Sequence, residues 1–374
     1  MFKDRISLFM TGIAMLSVAG TLAMTLVATG CGGDGGGAKT DKNADSSADK
    51  ASDSGVGKQG DAGKLLIYSG RKKNFVEPIV AEFEKATGIE VDVKYGKTPQ
   101  LALAIQQEGE RSPADLFFAQ DTASLGALSK AGVLIELPAK TFSKVRPAYV
   151  TPDKNWVGTS GRARVLAYAP SRVEKDELPT SIFALTDAKW KGRVGWAPSN
   201  GSFQAFVTAM RATAGEAKTK QWLSDMKGNE PVVFPKNTPI IQALADPKGP
   251  IDVGIPNHYY LLRFISEDAD YPVKQQFFAE GDIGNLVFVA GVGVLKSSKN
   301  HESAKQFVAF LLNKQSQSYF TNDLHEYPVS SEVAPRSGLL QPDELGKAAP
   351  KVKLEVINDV AGTQKMLREV GLLE

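Results

Sequence analysis

The chain has 374 residues, of which 42% are hydrophobic and 23% are charged, as is typical of a globular protein long enough for two domains. The formal net charge is only +2, and no cluster of Lys and Arg stands out, so a nucleic-acid-binding surface is not indicated. Three histidines and one cysteine are too few for a zinc site built from Cys and His, and a single cysteine excludes an internal disulfide.

The first thirty residues have the pattern of an export signal. Lys3 and Arg5 precede an uncharged apolar stretch from 6 to 27, and small residues then lie directly before Cys31. This ending is similar to a bacterial lipobox, so we expect residues 1–30 to be a lipoprotein signal peptide and Cys31 to be the acylated first residue of the mature chain. An uncleaved transmembrane anchor is the alternative, because the stretch is long enough to span a bilayer. Either outcome places the remainder outside the cytoplasm.

Residues 31–63 are mainly Gly, Ala, Ser, Asp and Lys, with almost nothing apolar. Such a segment cannot offset its loss of conformational entropy by burial. We therefore expect a flexible tether between Cys31 and the folded part.

Strand and helix patterns alternate from residue 64 onwards. Apolar runs and alternating patterns predict strands at 65–68, 89–95, 115–118, 164–168, 193–196 and 287–295. Apolar spacing of three and four residues predicts helices from Asn74 to Gly88 and at 101–107, 122–131, 202–213, 218–227 and 302–312. The alternation favours an α/β fold with mainly parallel sheets covered on both faces.

Two of these strands, 164–168 and 287–295, are predicted to connect two sheets. We therefore expect two lobes, the first formed by 64–165 and 290–374 with the C-terminal helices, and the second by 166–289. Ligands of open α/β sheets bind beyond the carboxyl ends of strands, so the site should lie in a cleft between the lobes.

One cluster of polar and aromatic residues follows a strand end. Asn257, His258, Tyr259 and Tyr260 come directly after the apolar run 252–255. Adjacent tyrosines are commonly core residues, but the polar Asn-His is out of place in a core. Hard cations prefer oxygen ligands, and a bound trivalent ion can displace the phenol proton, whose pKa is ordinarily about 10. Adjacent strand residues point to opposite faces, so we expect the pair in a loop where the backbone turns.

With this cluster, the chain resembles the bacterial ferric-ion-binding proteins of iron ABC importers, which have the type II periplasmic binding fold and are often called bacterial transferrins. The resemblance extends from residue 64 to the C-terminus. It is carried by Leu65-Leu66-Ile67-Tyr68-Ser69-Gly70, Ser112-Pro113-Ala114-Asp115-Leu116-Phe117, Ser160-Gly161-Arg162-Ala163-Arg164-Val165, Lys189-Trp190-Lys191-Gly192 and Asn257-His258-Tyr259-Tyr260. The first four segments are shared with relatives that bind other solutes, whereas the tyrosine pair is specific for iron.

The resemblance implies residue roles. Tyr259 and Tyr260 would be phenolate ligands of Fe3+. Asn257 and Asn237 would hold a synergistic anion, carbonate or phosphate, which completes the metal shell. The turn Asn200-Gly201-Ser202 would cradle that anion at the start of a helix, where free amides and the helix dipole favour negative charge; an ordinary turn and cap is the equally weighted alternative.

The resemblance also implies partners and location. The protein would deliver iron to an ABC permease, and it would be a monomer that is held at a bacterial membrane by its lipid anchor alone. No nucleic acid and no catalysis are expected. The chain has no Gly-x-Ser-x-Gly, no His-Glu-x-x-His and no complete phosphate loop, which argues against an exported hydrolase.

Three positions depart from the family pattern, and one of them is Phe203, which stands where some branches have a third tyrosine just after the anion turn. Lys72 stands where many members have a histidine ligand, and an ammonium has no lone pair to offer. Gln120 stands where many have a glutamate. Arg162 or Arg164 could reach the anion, because a guanidinium suits carbonate or phosphate. We therefore expect Lys72, Gln120 and Arg162 to contribute to the cleft, and a second reading remains open: a metal-free site for an organic solute of phosphonate or phosphate-ester type.

Overall fold

The computed structural model describes residues 64–352, 357 and 359–374, all of which belong to one compact unit. The predicted signal peptide, the acylation of Cys31 and the tether lie outside these residues. Within the described part, no helix is both long enough and apolar enough to cross a membrane.

The strands of the described part form two sheets. The strands are β1 (Leu65–Ser69), β2 (Val91–Tyr95), β3 (Leu116–Ala119), β4 (Val157–Ala163), β5 (Leu166–Tyr168), β6 (Val194–Trp196), β7 (Val232–Val233), β8 (Val253–Gly254), β9 (Lys274–Gln276), β10 (Val287–Val294) and β11 (Tyr327–Pro328). The order is β11-β4-β10-β3-β1-β2 in the first sheet and β7-β6-β8-β5-β9 in the second.

Helices connect and cover these strands. They are α1 (Lys73–Thr87), α2 (Thr98–Glu108), α3 (Thr122–Lys130), α4 (Gly201–Ala214), α5 (Glu216–Gly228), α6 (Asn237–Ala245), α7 (His258–Glu267), α8 (His301–Leu311), α9 (Lys314–Asn322), α10 (Pro342–Ala348) and α11 (Val360–Glu369).

The first sheet shows how apolar spacing becomes a core. Alternate positions of β1, Leu65 and Ile67, are fully buried, and they share a core with Val76 and Phe83 on one face of α1. Helix α1 ends at Gly88, whose φ of 73° is easily adopted only by glycine. The predicted cap Asn74 lies inside the helix, because the chain turns helical already at Lys73.

Both sheets are mixed, so the prediction of mainly parallel sheets is wrong. Strand β1 is parallel to β2 and β3, but β10 runs antiparallel to β3 and β4. In the second sheet β6 is parallel to β7 and β8, whereas β5 is antiparallel to β8 and β9. Local patterns show that a segment is a strand, but the direction of its neighbour depends on the path of the chain between them.

The second sheet has its own core, in which the ring of Trp196 meets Phe203 of α4 and Trp222 of α5 edge-on. The C-terminal helix α11 packs on α4 and shares this core through Met366 and Leu367. Helix α11 therefore belongs with the second sheet, although the sequence division had placed it with the first. The other predicted lobe boundaries stay a prediction.

The connections between the sheets lie side by side. The Arg164 backbone N–H donates to the Leu286 carbonyl at 2.9 Å, and Val165 donates to the Pro256 carbonyl at 3.1 Å. This pairing brings the segment that leads into α7 to the junction of the two sheets.

Candidate functional site

The two adjacent tyrosines lie in the first turn of α7. After β8, Asn257 takes an extended N-cap conformation, and the helix begins at His258. The ring centroids of Tyr259 and Tyr260 are 4.3 Å apart, with an interplanar angle of 30°. The expectation of a loop is wrong, because successive helical residues point only about 100° apart and both rings can reach one side without a chain reversal.

Burial changes the acidity of this pair. Tyr259 is only 7% exposed and Tyr260 is half-buried. Burial, and next the neighbouring Tyr260, raise the pKa of the Tyr259 phenol far above its ordinary value, while the charge of Arg162 acts in the opposite direction. The Tyr259 phenol is therefore neutral at pH 7 unless a cation displaces its proton.

The residues of the predicted anion turn do come together. Asn200 caps α4, and its Oδ1 accepts from the Ser202 amide at 2.9 Å and from Ser202 Oγ at 2.8 Å. Asn237, the first residue of α6, donates from Nδ2 to Ser202 Oγ at 3.3 Å, and Gly201 opens α4. Because Asn200 itself occupies the Ser202 amide, side chains here compete with any anion for backbone donors.

Asn257 is fully buried, and within the described residues neither Oδ1 nor Nδ2 has a hydrogen-bond partner. Leaving a buried polar atom unpaired costs about 1–3 kcal/mol. Arg162 Nε and Gln120 Oε1 are likewise buried without a partner in this part of the chain, although Arg162 Nη2 donates to the Gln120 backbone carbonyl. These atoms offer both donors and acceptors to a small polar ligand.

Arg164 has a different role from Arg162. Its guanidinium donates to the Ile255 carbonyl and, at 2.8 Å, to the Ser202 carbonyl, and it lies 4.7 Å from the Phe206 ring centroid. Burial lowers its pKa to about 9, against the pull of Tyr260 and Tyr259. Arg164 thus fixes the anion turn to the segment before the tyrosines, whereas Arg162 Nη2 donates to the Gln120 carbonyl. Within the described residues, Nε of either arginine has no hydrogen-bond partner.

Lys72 is exposed at the N-cap of α1, and its Nζ lies 5.9 Å from the Phe75 ring centroid. The structure shows no contact of Lys72 with the tyrosine pair. Its link to the site is indirect, through Phe75 and the guanidinium of Arg263 that covers the same ring at 5.2 Å.

Sequence reasoning missed a buried ion pair beside the site. Arg71 Nη2 lies 3.0 Å from Glu326 Oε2, and the two side chains are 0% and 1% exposed. Ser160 Oγ donates to the same carboxylate and accepts from Arg71 Nη1 at 3.3 Å. Burial opposes ionisation of Glu326, but the charges of Arg71 and Arg162 outweigh it, so its pKa is lowered. The only sequence feature that could have pointed to this ion pair is the position of Glu326 directly before the apolar residues 327–329.

His258 joins the sheets and is not placed as a ligand. Its Nδ1 accepts from the Ala163 N–H at 3.0 Å, which makes Nε2 the donor to the His325 carbonyl at 2.7 Å. Burial lowers the pKa of His258 to about 4. Among the described residues, there is no group of three or more His, Cys, Asp or Glu side chains that could hold a metal ion.

An apolar cavity of about 430 Å³ lies elsewhere, between the first sheet and α10, with Tyr149, Tyr327 and Leu345 in its walls. None of the predicted site residues lines it.

Comparison with known proteins identifies the family. The family described as "Bacterial extracellular solute-binding protein" matches residues 78–353. The chain is 34% identical over 314 residues to the "Major ferric iron-binding protein" of Neisseria meningitidis, which covers 82% of this chain and 93% of that protein.

Two solved structures support the same relationship. Iron-bound HitA from Pseudomonas aeruginosa superposes with a TM-score of 0.75 at 32% identity, over 83% of this chain and 99% of that one. The Trichodesmium protein IdiA (FutA), in complex with iron and citrate ligands, superposes with a TM-score of 0.69 at 28% identity, over 83% and 99% of the two chains. The α/β type II periplasmic binding fold is thus confirmed, and the chain belongs to the bacterial extracellular solute-binding proteins, among the ferric-ion-binding proteins.

Proposed function

We propose that this protein captures ferric iron at the junction of its two sheets and delivers it to an ABC importer, without catalysing a reaction. Tyr259 and Tyr260 would bind the metal as phenolates. The observation that carries the proposal is the close approach of these two rings, whose centroids are 4.3 Å apart, next to the buried and unpartnered Asn257 side chain in a chain related to iron-binding proteins.

A synergistic anion, carbonate or phosphate, would complete the metal shell. Two phenolates leave one positive charge on Fe3+ uncompensated, and Arg162 with its unpartnered Nε adds another. Asn257, two residues before Tyr259, offers a buried carboxamide donor. The anion could bind at the turn Asn200-Gly201-Ser202 and at Asn237 only if the anion replaced the Asn200 side chain as the acceptor of the Ser202 amide.

Closure of two lobes on the metal would create the form that the permease recognises. A ligand shifts such an equilibrium only by as much as it binds the closed form better than the open one. Tyr259 lies in α7, where its neighbour Tyr260 packs on a core of the second sheet, whereas Arg162 lies in β4 of the first sheet. A metal–anion pair between them would therefore bridge the lobes. We further propose a monomer outside the cytoplasm, anchored through acylated Cys31 after removal of residues 1–30.

The competing function is metal-free binding of an organic phosphonate or phosphate ester. The unpartnered Arg162 Nε favours this function, because an oxyanion needs hydrogen-bond donors.

Visible spectroscopy separates the two functions. Phenolates bound to ferric iron absorb visible light by charge transfer, so the purified protein mixed with ferric citrate should develop a band. Replacing both tyrosines, Tyr259→Phe with Tyr260→Phe, should abolish the band and leave the fold intact. Tyr271→Phe, which removes a hydroxyl from a ring stacked on Phe264 near the same helix, is the matched control and should retain it. A colourless wild-type protein that binds a phosphonate would support the competing function.

A further inference from the structure

We propose that Arg263 and Phe75 form a clamp that holds the two lobes together over the bound metal and slows its release. This inference rests on the proposed iron-binding function. It concerns residues that neither supply a metal ligand nor contact the anion turn.

Arg263 lies directly above the tyrosine pair. It follows Tyr259 by four residues and Tyr260 by three in α7, a spacing that places side chains on one helix face. Its guanidinium carbon is 4.7 Å from the Tyr259 ring centroid and 5.7 Å from that of Tyr260. Both distances are within the range in which a cation is attracted to a ring face.

The same guanidinium reaches across to the other sheet. Phe75, in the first turn of α1, packs on the core of the first sheet, whereas Tyr260 packs on a core of the second. The Arg263 guanidinium carbon lies 5.2 Å from the Phe75 ring centroid, so the cation contacts rings that pack on the cores of both sheets.

Aromatic faces hold this guanidinium in place of hydrogen bonds. Nη2 of Arg263 is buried and has no hydrogen-bond partner within the described residues. A guanidinium is weakly hydrated and stacks well on rings, which suits such a position better than an ammonium would. Lys72 is not part of the clamp. Its Nζ also lies near the Phe75 ring, but Lys72 and Phe75 are on the same side of the junction, so this contact does not connect the two sheets.

Because Arg263 and Phe75 belong to elements that pack on different sheets, their contact should break when the lobes separate. Its loss should therefore mainly speed opening. Iron release into excess chelator, followed by loss of the visible band, should be about three- to thirtyfold faster in Arg263→Gln and in Phe75→Leu. Arg263→Lys should be intermediate, and Phe75→Tyr, which keeps the ring face, should behave like the wild type. Lys72→Gln is the matched control, and its release rate should not change.

The double variant tests whether the two residues act together. Partners in one contact are not additive, so Arg263→Gln with Phe75→Leu should release iron no faster than the worse single variant. Multiplicative effects, or unchanged release in both single variants, would overturn the clamp. An equal fall in the thermal stability of the metal-free protein would instead indicate a purely structural role.

A second measurement does not depend on the visible band. Spin labels at the exposed positions Glu77 on α1 and Gln242 on α6, in the full chain carrying Cys31→Ser, report the separation of the lobes. The fraction of molecules with a short distance between the two labels is measured with and without ferric citrate. This fraction should be smaller in Arg263→Gln and in Phe75→Leu than in the wild type. If it is unchanged, the clamp is refuted whatever the ligand is. If the wild type stays colourless while this fraction shrinks, the clamp stands and the iron assignment fails.

Discussion

The buried pair of Arg71 and Glu326 gives the sharpest stability prediction. Glu326→Gln keeps the side-chain volume but removes the charge that lies 3.0 Å from a guanidinium with 0% exposure. Breaking a buried pair by removing one partner costs about 3–5 kcal/mol, because the remaining charge stays uncompensated. The free energy of unfolding should fall by that amount, and the melting temperature by roughly 5–15 °C.

Urea unfolding of the metal-free protein at pH 7, followed by tryptophan fluorescence, measures this loss. The matched control is Glu332→Gln, which breaks the pair with Lys144 at 2.7 Å, where the side chains are 42% and 61% exposed. Exposed pairs contribute less than about 1 kcal/mol. If Glu326→Gln loses no more stability than Glu332→Gln, the reasoning is wrong. Replacing both partners, Arg71→Met with Glu326→Leu, should recover most of the loss.

The pH dependence has a definite sign. The Glu326 carboxyl pKa is lower in the folded protein than its ordinary value of 4.5, because Arg71 and Arg162 outweigh the effect of burial. Its contribution is therefore complete above pH 4.5 and is lost as the pH falls through the folded pKa. The stabilities of the wild type and of Glu326→Gln should converge on acidification, and curves that stay parallel would contradict the pairing.

Three further outcomes are expected around the site. Asn257→Leu should raise the free energy of unfolding of the metal-free protein by about 1 kcal/mol, because it removes two buried unpaired atoms. The same variant should weaken iron binding about tenfold or more. Denaturation and iron titration measure the two effects, and a loss of stability would contradict this account. Iron affinity should fall by at least about tenfold per pH unit below pH 7, since a proton competes for the buried Tyr259 phenol; a competition titration at several pH values that showed no slope would exclude a phenolate ligand. The pKa of His258 is about 4 in the folded protein and ordinarily 6.5, so between these pH values the unfolded chain binds a proton that the folded protein does not. Up to about 3 kcal/mol of stability should therefore be lost as the pH falls from 6.5 to 4. His258→Gln should flatten this part of the curve of stability against pH.

The local strands and helices, and the polar chemistry at the end of one strand, could be predicted from sequence patterns. The pattern of apolar residues located β1, α1 and β10 to within a few residues, because an element that buries one face repeats apolar residues at regular spacing. The tyrosine pair was recognisable because it breaks an apolar run with polar atoms directly after a strand. These signals are local, so they survive without knowledge of the fold.

Contacts between residues that are far apart in the chain could not be predicted in this way and became visible in the folded protein. Arg71 and Glu326 are separated by 255 positions, and no local pattern pairs them. Arg263 reads as a polar residue on an amphipathic helix until Phe75 is placed against it. Strand direction and the packing of α11 on α4 likewise depend on the path of the whole chain. Such contacts depend on burial and charge in the whole folded chain, and a short stretch of sequence does not carry this information.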